Sequence, residues 1–394
     1  MAPSLLSQLL GMQKVLAVDI GSHSIKAVEA MARKEQTEIT ALGSVLTPPG
    51  AMENGVVVDR AAVAGAITDL VHSIGADATV AAATATDPSL VATRIQMPRS
   101  LQKSLHKSIR FEARKHIPFD IDQSLVECQV LDPDDRDSDQ MTVLLVAVRS
   151  EVVTSRVETL EMARLDTVYV DVEQFASMRA CVYASQDPRV FQETLALIRI
   201  GSSFTEMAML REGAFVFPRI IPIAGATIDR AIASAMNIDQ NEARELKEQR
   251  SAACRRDDMA SLGDQERQVS QIAAPALEEI TRDIQRSFVF LATQLSMDPS
   301  TSVVDRVLLS GGTAAMRNVG PYLEDQLGVP VQVPNVFTDA AITMRDVDPE
   351  YAAAFAPAMS AAVGLALRDA IRSGRYPVAG VPARHPALQA AEPA

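Results

Sequence analysis

The 394-residue chain is 47% hydrophobic and 22% charged, a globular composition with length enough for two or three domains. Its formal net charge of −13 argues against nucleic acid as a main ligand, because neutralising phosphates needs clustered Lys and Arg. No apolar run is long enough for a membrane span, and the three distant cysteines (Cys128, Cys181, Cys254) and five scattered histidines offer neither a disulfide framework nor a zinc pattern.

Residues 1–13 read as an N-terminal extension, without the basic start of a secretory signal. Residues 17–30, AVDIGSHSIKAVEA, predict two apolar strands joined by a small-residue turn. Gly21 permits close backbone approach. The hydroxyls of Ser22 and Ser24 could donate to phosphate, Lys26 could add positive charge, and Asp19 could hold Mg²⁺ through water. Taken alone, the segment is equally an ordinary hairpin turn with a solvated Asp. A strand over 38–45 and a helix over 61–73 follow.

Residues 78–147 read as an inserted α/β subdomain, with strands at 79–86 and 90–97 and a helix over 100–116. In that helix Leu101, Leu105, Ile109 and Ala113 form one apolar stripe, and Pro118 stops it. Alternating runs at 125–131 and 141–148 flank an acidic connector, a strand–loop–strand signal. The insertion is either a plain subdomain or a docking face.

Residues 197–210, LIRIGSSFTEMAML, repeat the first hairpin. Ile20, Gly21 and Ser22 match Ile200, Gly201 and Ser202 at an offset of 180. A strand (214–222) and a helix (225–236) follow in the same order as before, which predicts a duplicated α/β architecture with a cleft between the halves. Residues 248–265 are a polar connector. The helix over 278–294 carries Glu279, Arg282 and Arg286 on one face, by itself a solvated charge stripe. A strand over 304–309 leads through Gly311 and Gly312 to a helical segment at 318–326, where N–H groups at a helix start could meet an anion. Beyond residue 375 the Pro- and Ala-rich sequence predicts a flexible tail.

These turns resemble the two phosphate loops and the adenosine loop of the actin/Hsp70/FtsA superfamily. More closely, the chain resembles the PilM family of type IV pilus assembly proteins over residues 14–370. VLAVDIGSHSIKAVE, the stretch from Phe111 to Phe119 (FEARKHIPF), DVEQFA with Arg179-Ala180, and GLALR ending at Arg368 carry the likeness. The resemblance implies duplicated actin/Hsp70-like (ribonuclease H-like) halves with an FtsA-like insertion. The first half would be 14–77 and 148–190, the insertion 78–147, the second half 191–374 and the tail 375–394. It implies ATP or ADP held by Asp19, Gly21, Ser22, Ser24 and Lys26, with Gly201, Ser202, Ser203 and Gly225 opposite. Glu279, Arg282, Gly311 and Gly312 would surround the adenosine, and whether Mg²⁺ accompanies the nucleotide is left open.

It also implies a cytoplasmic scaffold recruited to the inner membrane. The partner would be a PilN-like protein, whose cytoplasmic N-terminal peptide would bind near Glu112, Ile117, Pro118 and Phe119, linking the membrane complex to the pilus motor ATPases. Two departures stand out. Arg199 occupies the position of the family's second-loop Asp, and Arg244 that of a usual Glu. A fixed cation at 199 favours phosphate and disfavours a metal, which implies retained nucleotide binding with slow or absent hydrolysis. An FtsA-like filament-forming ATPase is the alternative function, although FtsA ends in an amphipathic helix that this Pro-rich tail cannot form. A sugar kinase lacks an evident catalytic acid.

Overall fold

The computed structural model describes residues 14–33, 36–132, 138–185, 187–254, 258–294, 303–339 and 342–368. The N-terminal extension 1–13 and the tail 375–394 lie outside them. Two compact units emerge. One draws on the chain up to Gln192, on Glu212–Val216 and on the chain from Asn335 onward; the other comprises Glu193–Arg211 and Phe217–Pro334.

In the first unit β1 (Val15–Ile20) turns into β2 (Ser24–Ala32), and β3 (Thr37–Leu46) continues the antiparallel meander. A two-residue ladder of β4 (Met52–Glu53) and β5 (Val56–Val57) precedes α1 (Arg60–Ser73), whose first turn Asp59 caps by accepting from the Ala62 amide at 3.0 Å. Next come β6 (Val80–Ala85), β7 (Val91–Pro98), α2 (Leu105–Ala113), β8 (Ser124–Val130), β9 (Gln140–Arg149), α3 (Ser150–Met162), β10 (Asp166–Val172) and α4 (Glu173–Met178).

The second unit opens with the hairpin β11 (Thr194–Ile200) and β12 (Thr205–Arg211), and β13 (Ala214–Ile221) follows, with 214–216 belonging to the first unit. Helices α5 (Gly225–Met236), α6 (Gln240–Arg250) and α7 (Asp264–Gln294) pack on one another, and β14 (Arg306–Ser310), α8 (Val319–Leu327) and β15 (Val331–Gln332) complete the unit. The chain then supplies β16 (Ile342–Met344) and α9 (Pro349–Ala366) to the first unit.

The strand orders show the duplication. The first sheet runs β10-β6-β1-β2-β3-β16 and the second β13-β12-β11-β14-β15. In each, the first strand of an antiparallel hairpin is followed on its other side by two parallel strands. Strand β6 is therefore the counterpart of β14, and its assignment to the insertion is corrected. All six of its residues (VAAATA) are buried between β1 and β10, as a parallel strand covered on both faces must be. Besides the small β4-β5 ladder, the three-stranded sheet β7-β9-β8 stands outside the two large sheets. Helix α2 covers it, and Leu105, Ile109 and Ala113 meet Ile95, Met141, Val143 and Leu145 in one core. The α-helix is shorter than expected, because a 3₁₀ turn over Arg99–Ser104 forms its lead-in.

A second correction concerns the end of the second half. Strand β16 pairs with β3, and α9 packs against α4, β1, β2 and β6. Its small residues allow close contact: a Cβ on Gly364 would sit 1.7 Å from the Ala176 carbonyl oxygen. Buried Arg179 pairs with Asp171 and donates from Nε to the Gly364 carbonyl at 2.8 Å. Tyr169 donates to the Leu365 carbonyl at 2.8 Å, and the Arg368 guanidinium lies 4.0 Å over the Tyr169 ring. The DVEQFA and GLALR segments are thus two sides of one packing junction. Among the described residues no helix is long and apolar enough to cross a membrane.

Candidate functional site

The β1–β2 turn is closed by the Gly21 amide donating to the Ser24 carbonyl at 3.2 Å. Thr47 buttresses it, its hydroxyl donating to the Gly21 carbonyl at 2.6 Å and its amide to the His23 carbonyl at 2.9 Å. Beneath the turn Asp19 and Lys26 are direct cross-strand partners. Lys26 Nζ lies 3.1 Å from Asp19 Oδ2 and also donates to the Ser24 carbonyl at 3.2 Å. The other carboxylate oxygen accepts from the Thr84 hydroxyl at 2.8 Å. Both charges are buried, so the Lys26 ammonium is aimed at Asp19 rather than outward. Ser22 is exposed and Ser24 half-buried.

Behind this site Arg156 is fully buried and donates to the carbonyls of Thr84, Gly55 and Val152 at 2.6, 2.6 and 2.8 Å. Desolvation lowers its guanidinium to about 10, against the pull of Glu173, Asp19 and Asp87.

The β11–β12 turn repeats the geometry with inverted charge. Gly201 donates its amide to the Phe204 carbonyl at 3.0 Å. Arg199 and Glu206 are cross-strand partners, with Nη1 3.2 Å from Oε2. They occupy the positions of Asp19 and Lys26, each displaced by 180 residues. The third member follows from the parallel ladders: Val18 pairs with Ala83, one step before Asp19 and Thr84, and Arg199 pairs with Ser310. Where Thr84 has a carboxylate to donate to, Ser310 faces a residue with no acceptor in its side chain. Its buried hydroxyl has no hydrogen-bond partner.

Within the second unit the predicted glycine turns do converge. The Gly225 amide donates to the Gly201 carbonyl at 3.0 Å, the Ala226 amide to the Ser202 carbonyl at 2.8 Å, and the Thr313 hydroxyl to the Gly201 carbonyl at 3.4 Å. Gly311, at φ +94°, would place a Cβ 2.4 Å from the Ile200 carbonyl oxygen, so the position requires glycine. Gly312 opens a 3₁₀ turn over Gly312–Ala315, and α8 begins only at Val319. The glycines are therefore separate from a helix N-terminus, contrary to expectation. Arg244, read as a departure, joins a cation cluster on Asp229: Lys247 Nζ is 2.7 Å and Arg244 Nε 3.7 Å from its carboxylate. Lys247 also reaches the Gly225 carbonyl at 3.4 Å.

Ser202 and Ser203 are half-buried, while Glu279 and Arg282 lie on the exposed face of α7. In the insertion Glu112 is engaged by Lys115 at 2.9 Å, and Ile117 packs against the subdomain core. Pro118 is exposed and Phe119 half-buried.

The donor set suits a polar, hydroxyl-binding ligand at small-residue turns better than a resident Mg²⁺. The acid at the first turn holds a lysine, and a guanidinium stands at the second. Among the described residues no three His, Cys, Asp or Glu gather as a metal site. Sequence reasoning missed Thr84, Ser310, Thr47, Thr313 and the Asp229–Lys247 pair; a threonine or serine at or next to the end of β6 and β14 was the available signal.

Comparison with known proteins bears on this geometry. A family model described as type IV pilus assembly protein PilM matches residues 17–370. The solved PilM-PilN type IV pilus biogenesis complex contains a chain similar to this one, at 26% identity and a TM-score of 0.77, over 90% of this chain and 98% of that one. The ethanolamine utilization protein EutJ from Carboxydothermus hydrogenoformans is similar in fold alone, at 15% identity and a TM-score of 0.52, over 90% of this chain and 89% of that one.

Proposed function

This chain belongs to the type IV pilus assembly protein PilM family and has an actin-like α/β fold, and we propose that it serves as a cytoplasmic scaffold of a pilus assembly machine. In this reading it binds the N-terminal cytoplasmic peptide of a PilN-like inner-membrane protein, which brings it to the membrane and connects that complex to the pilus motor. The observation that carries the reading is the likeness to the chain of the PilM-PilN complex over nearly its full length. Beside the α2 subdomain, exposed Pro118 and half-buried Phe119 are the anchors we assign to an extended peptide, with edge hydrogen bonds supplying the rest.

Nucleotide is the second part of the proposal. ATP or ADP would supply a polyphosphate for the hydroxyl-bearing turns at Ser22, Ser24, Ser202 and Ser203, with Glu279 and Arg282 toward the base. The buried Asp19–Lys26 and Arg199–Glu206 pairs brace both turns, and the guanidinium at the second would repel a divalent cation, which favours a structural or slowly exchanging ligand over rapid turnover. Co-expression of the tagged chain with its organism's PilN-like protein tests the partner directly. Stable co-purification from detergent extract, lost when the partner's cytoplasmic N-terminus is removed, is the expected result. Recovery of the truncated partner at the same yield would sink the peptide assignment.

A further inference from the structure

Helix α2 is out of character with the rest of the molecule. The chain has 50 acidic against 37 basic residues, yet positions 99–116 hold six Lys or Arg and one Glu. Lys107, Arg110 and Arg114 recur at intervals of three and four on one face of α2 and its C-cap, and Lys103 sits in the 3₁₀ lead-in just before it. That face points away from the core, because Leu105, Ile109 and Ala113 occupy the opposite side. In its midst Phe111 is 71% exposed, one turn from Lys107, Arg114 and Lys115. Acidic groups temper the face only at its margins: Glu112 is held by Lys115 at 2.9 Å and His116 at 3.8 Å, and Asp122 lies 3.6 Å from Arg110.

We propose that this face of α2 rests on a membrane surface, with Lys103, Lys107, Arg110 and Arg114 against anionic phospholipid headgroups and Phe111 entering the interface. Clustered Lys and Arg on one surface are attracted to anionic headgroups, and the exposed Phe111 ring beside them can bury itself at the acyl boundary. An acidic polypeptide would satisfy the cations yet leave the Phe ring unexplained. The inference rests on the scaffold reading, since the membrane partner's peptide would bring the chain within reach of lipid. The two contacts are complementary: Pro118 and Phe119 for the peptide, the cationic face for the lipid beside it.

The test is co-sedimentation of the full chain with phosphatidylcholine vesicles, with and without phosphatidylglycerol, at low and high salt. Binding should require phosphatidylglycerol and weaken with salt, as surface charge is screened. The triple variant Lys107→Glu, Arg110→Glu, Arg114→Glu should lose on the order of a hundredfold in partitioning, from roughly fivefold per cation. Phe111→Ser should lose less and leave the salt dependence intact. All four side chains are exposed, so unchanged thermal unfolding establishes that the variants fold.

Binding of the partner's synthetic N-terminal peptide is measured on the same proteins and should not change. No binding to anionic vesicles, or equal binding by the triple variant, overturns the lipid surface while intact peptide binding leaves the scaffold reading standing. Loss of peptide affinity in the triple variant, with vesicle binding retained, would make the face a protein-docking surface instead. Absence of peptide binding in the unmodified chain would bring down the scaffold reading itself.

Discussion

Replacing Arg199 with Asp looks like restoration of a family acid, but the structure predicts damage. Arg199 and Glu206 are buried and 3.2 Å apart. The substitution removes the cation and sets a second carboxylate across the ladder from Glu206. Breaking a buried pair from one side costs about 3–5 kcal/mol. For domains of roughly this size about 2–4 °C is lost per kcal/mol, so the second unit should melt about 6–20 °C lower. Glu206→Lys alone should do similar harm by opposing two cations. The double variant Arg199→Asp, Glu206→Lys re-creates the polarity of Asp19 and Lys26, and the new carboxylate can accept from the orphaned Ser310 hydroxyl as Asp19 does from Thr84. It should recover most of the lost stability. Circular-dichroism melts of the four proteins form the cycle: with single losses of about 3–5 kcal/mol each, recovery of most of that loss means a coupling of about 5 kcal/mol or more, above the roughly 0.5–3 kcal/mol common between contacting residues. A double variant no better than the two single losses combined would refute the inverted-charge account.

Gly364→Ala places a methyl 1.7 Å from a backbone carbonyl that cannot swing aside, so denaturant unfolding should show a loss at or beyond the usual 1–3 kcal/mol of overpacking, about 3 kcal/mol. Burial raises the Cys128 thiol from 9.0 to about 11. Its stabilising contribution is complete below about pH 9 and is lost as pH rises toward 11; Cys128→Ala should flatten that part of the stability profile, and native alkylation at pH 8 should be slow. Gly21→Val would crowd the Ser24 carbonyl and Lys26 Nζ, 3.0 and 3.2 Å from a Cβ; equilibrium dialysis should show weakened ATP or ADP retention by a folded variant, and undiminished retention would remove this turn from the proposed site.

Much of the architecture was legible because hairpins are local. The two Gly-Ser turns at an offset of 180 foretold both hairpins, and residues 225–236 are a helix as expected. What escaped was non-local. VAAATA was read as a strand, and its unbroken small apolar run suits one covered on both faces, but its partners β1 and β10 lie far off in sequence, so its place in the first sheet was not legible. Its counterpart β14 sits at a different offset, because three helices precede it. The three-residue β16 owes its existence to β3, and only packing revealed that α9 returns to the first unit. Arg199 read in isolation was a stray positive charge. Cross-strand register makes it half of a pair with Glu206, which shifts attention from the metal it would repel to the turn it supports. Of the residues that the family resemblance puts near the peptide, Ile117 contributes to the subdomain core, while Pro118 is exposed.

Calorimetric titration of the purified chain with a synthetic peptide of its PilN-like protein's cytoplasmic N-terminus tests the scaffold assignment most directly. The account predicts one peptide per chain with a Kd near or below about 1 μM, corresponding to roughly −8 kcal/mol. Pro118→Ala with Phe119→Ser should weaken that affinity at least tenfold. Absence of heat and of competition up to about 1 mM, where binding would be worth only about −4 kcal/mol, would contradict it.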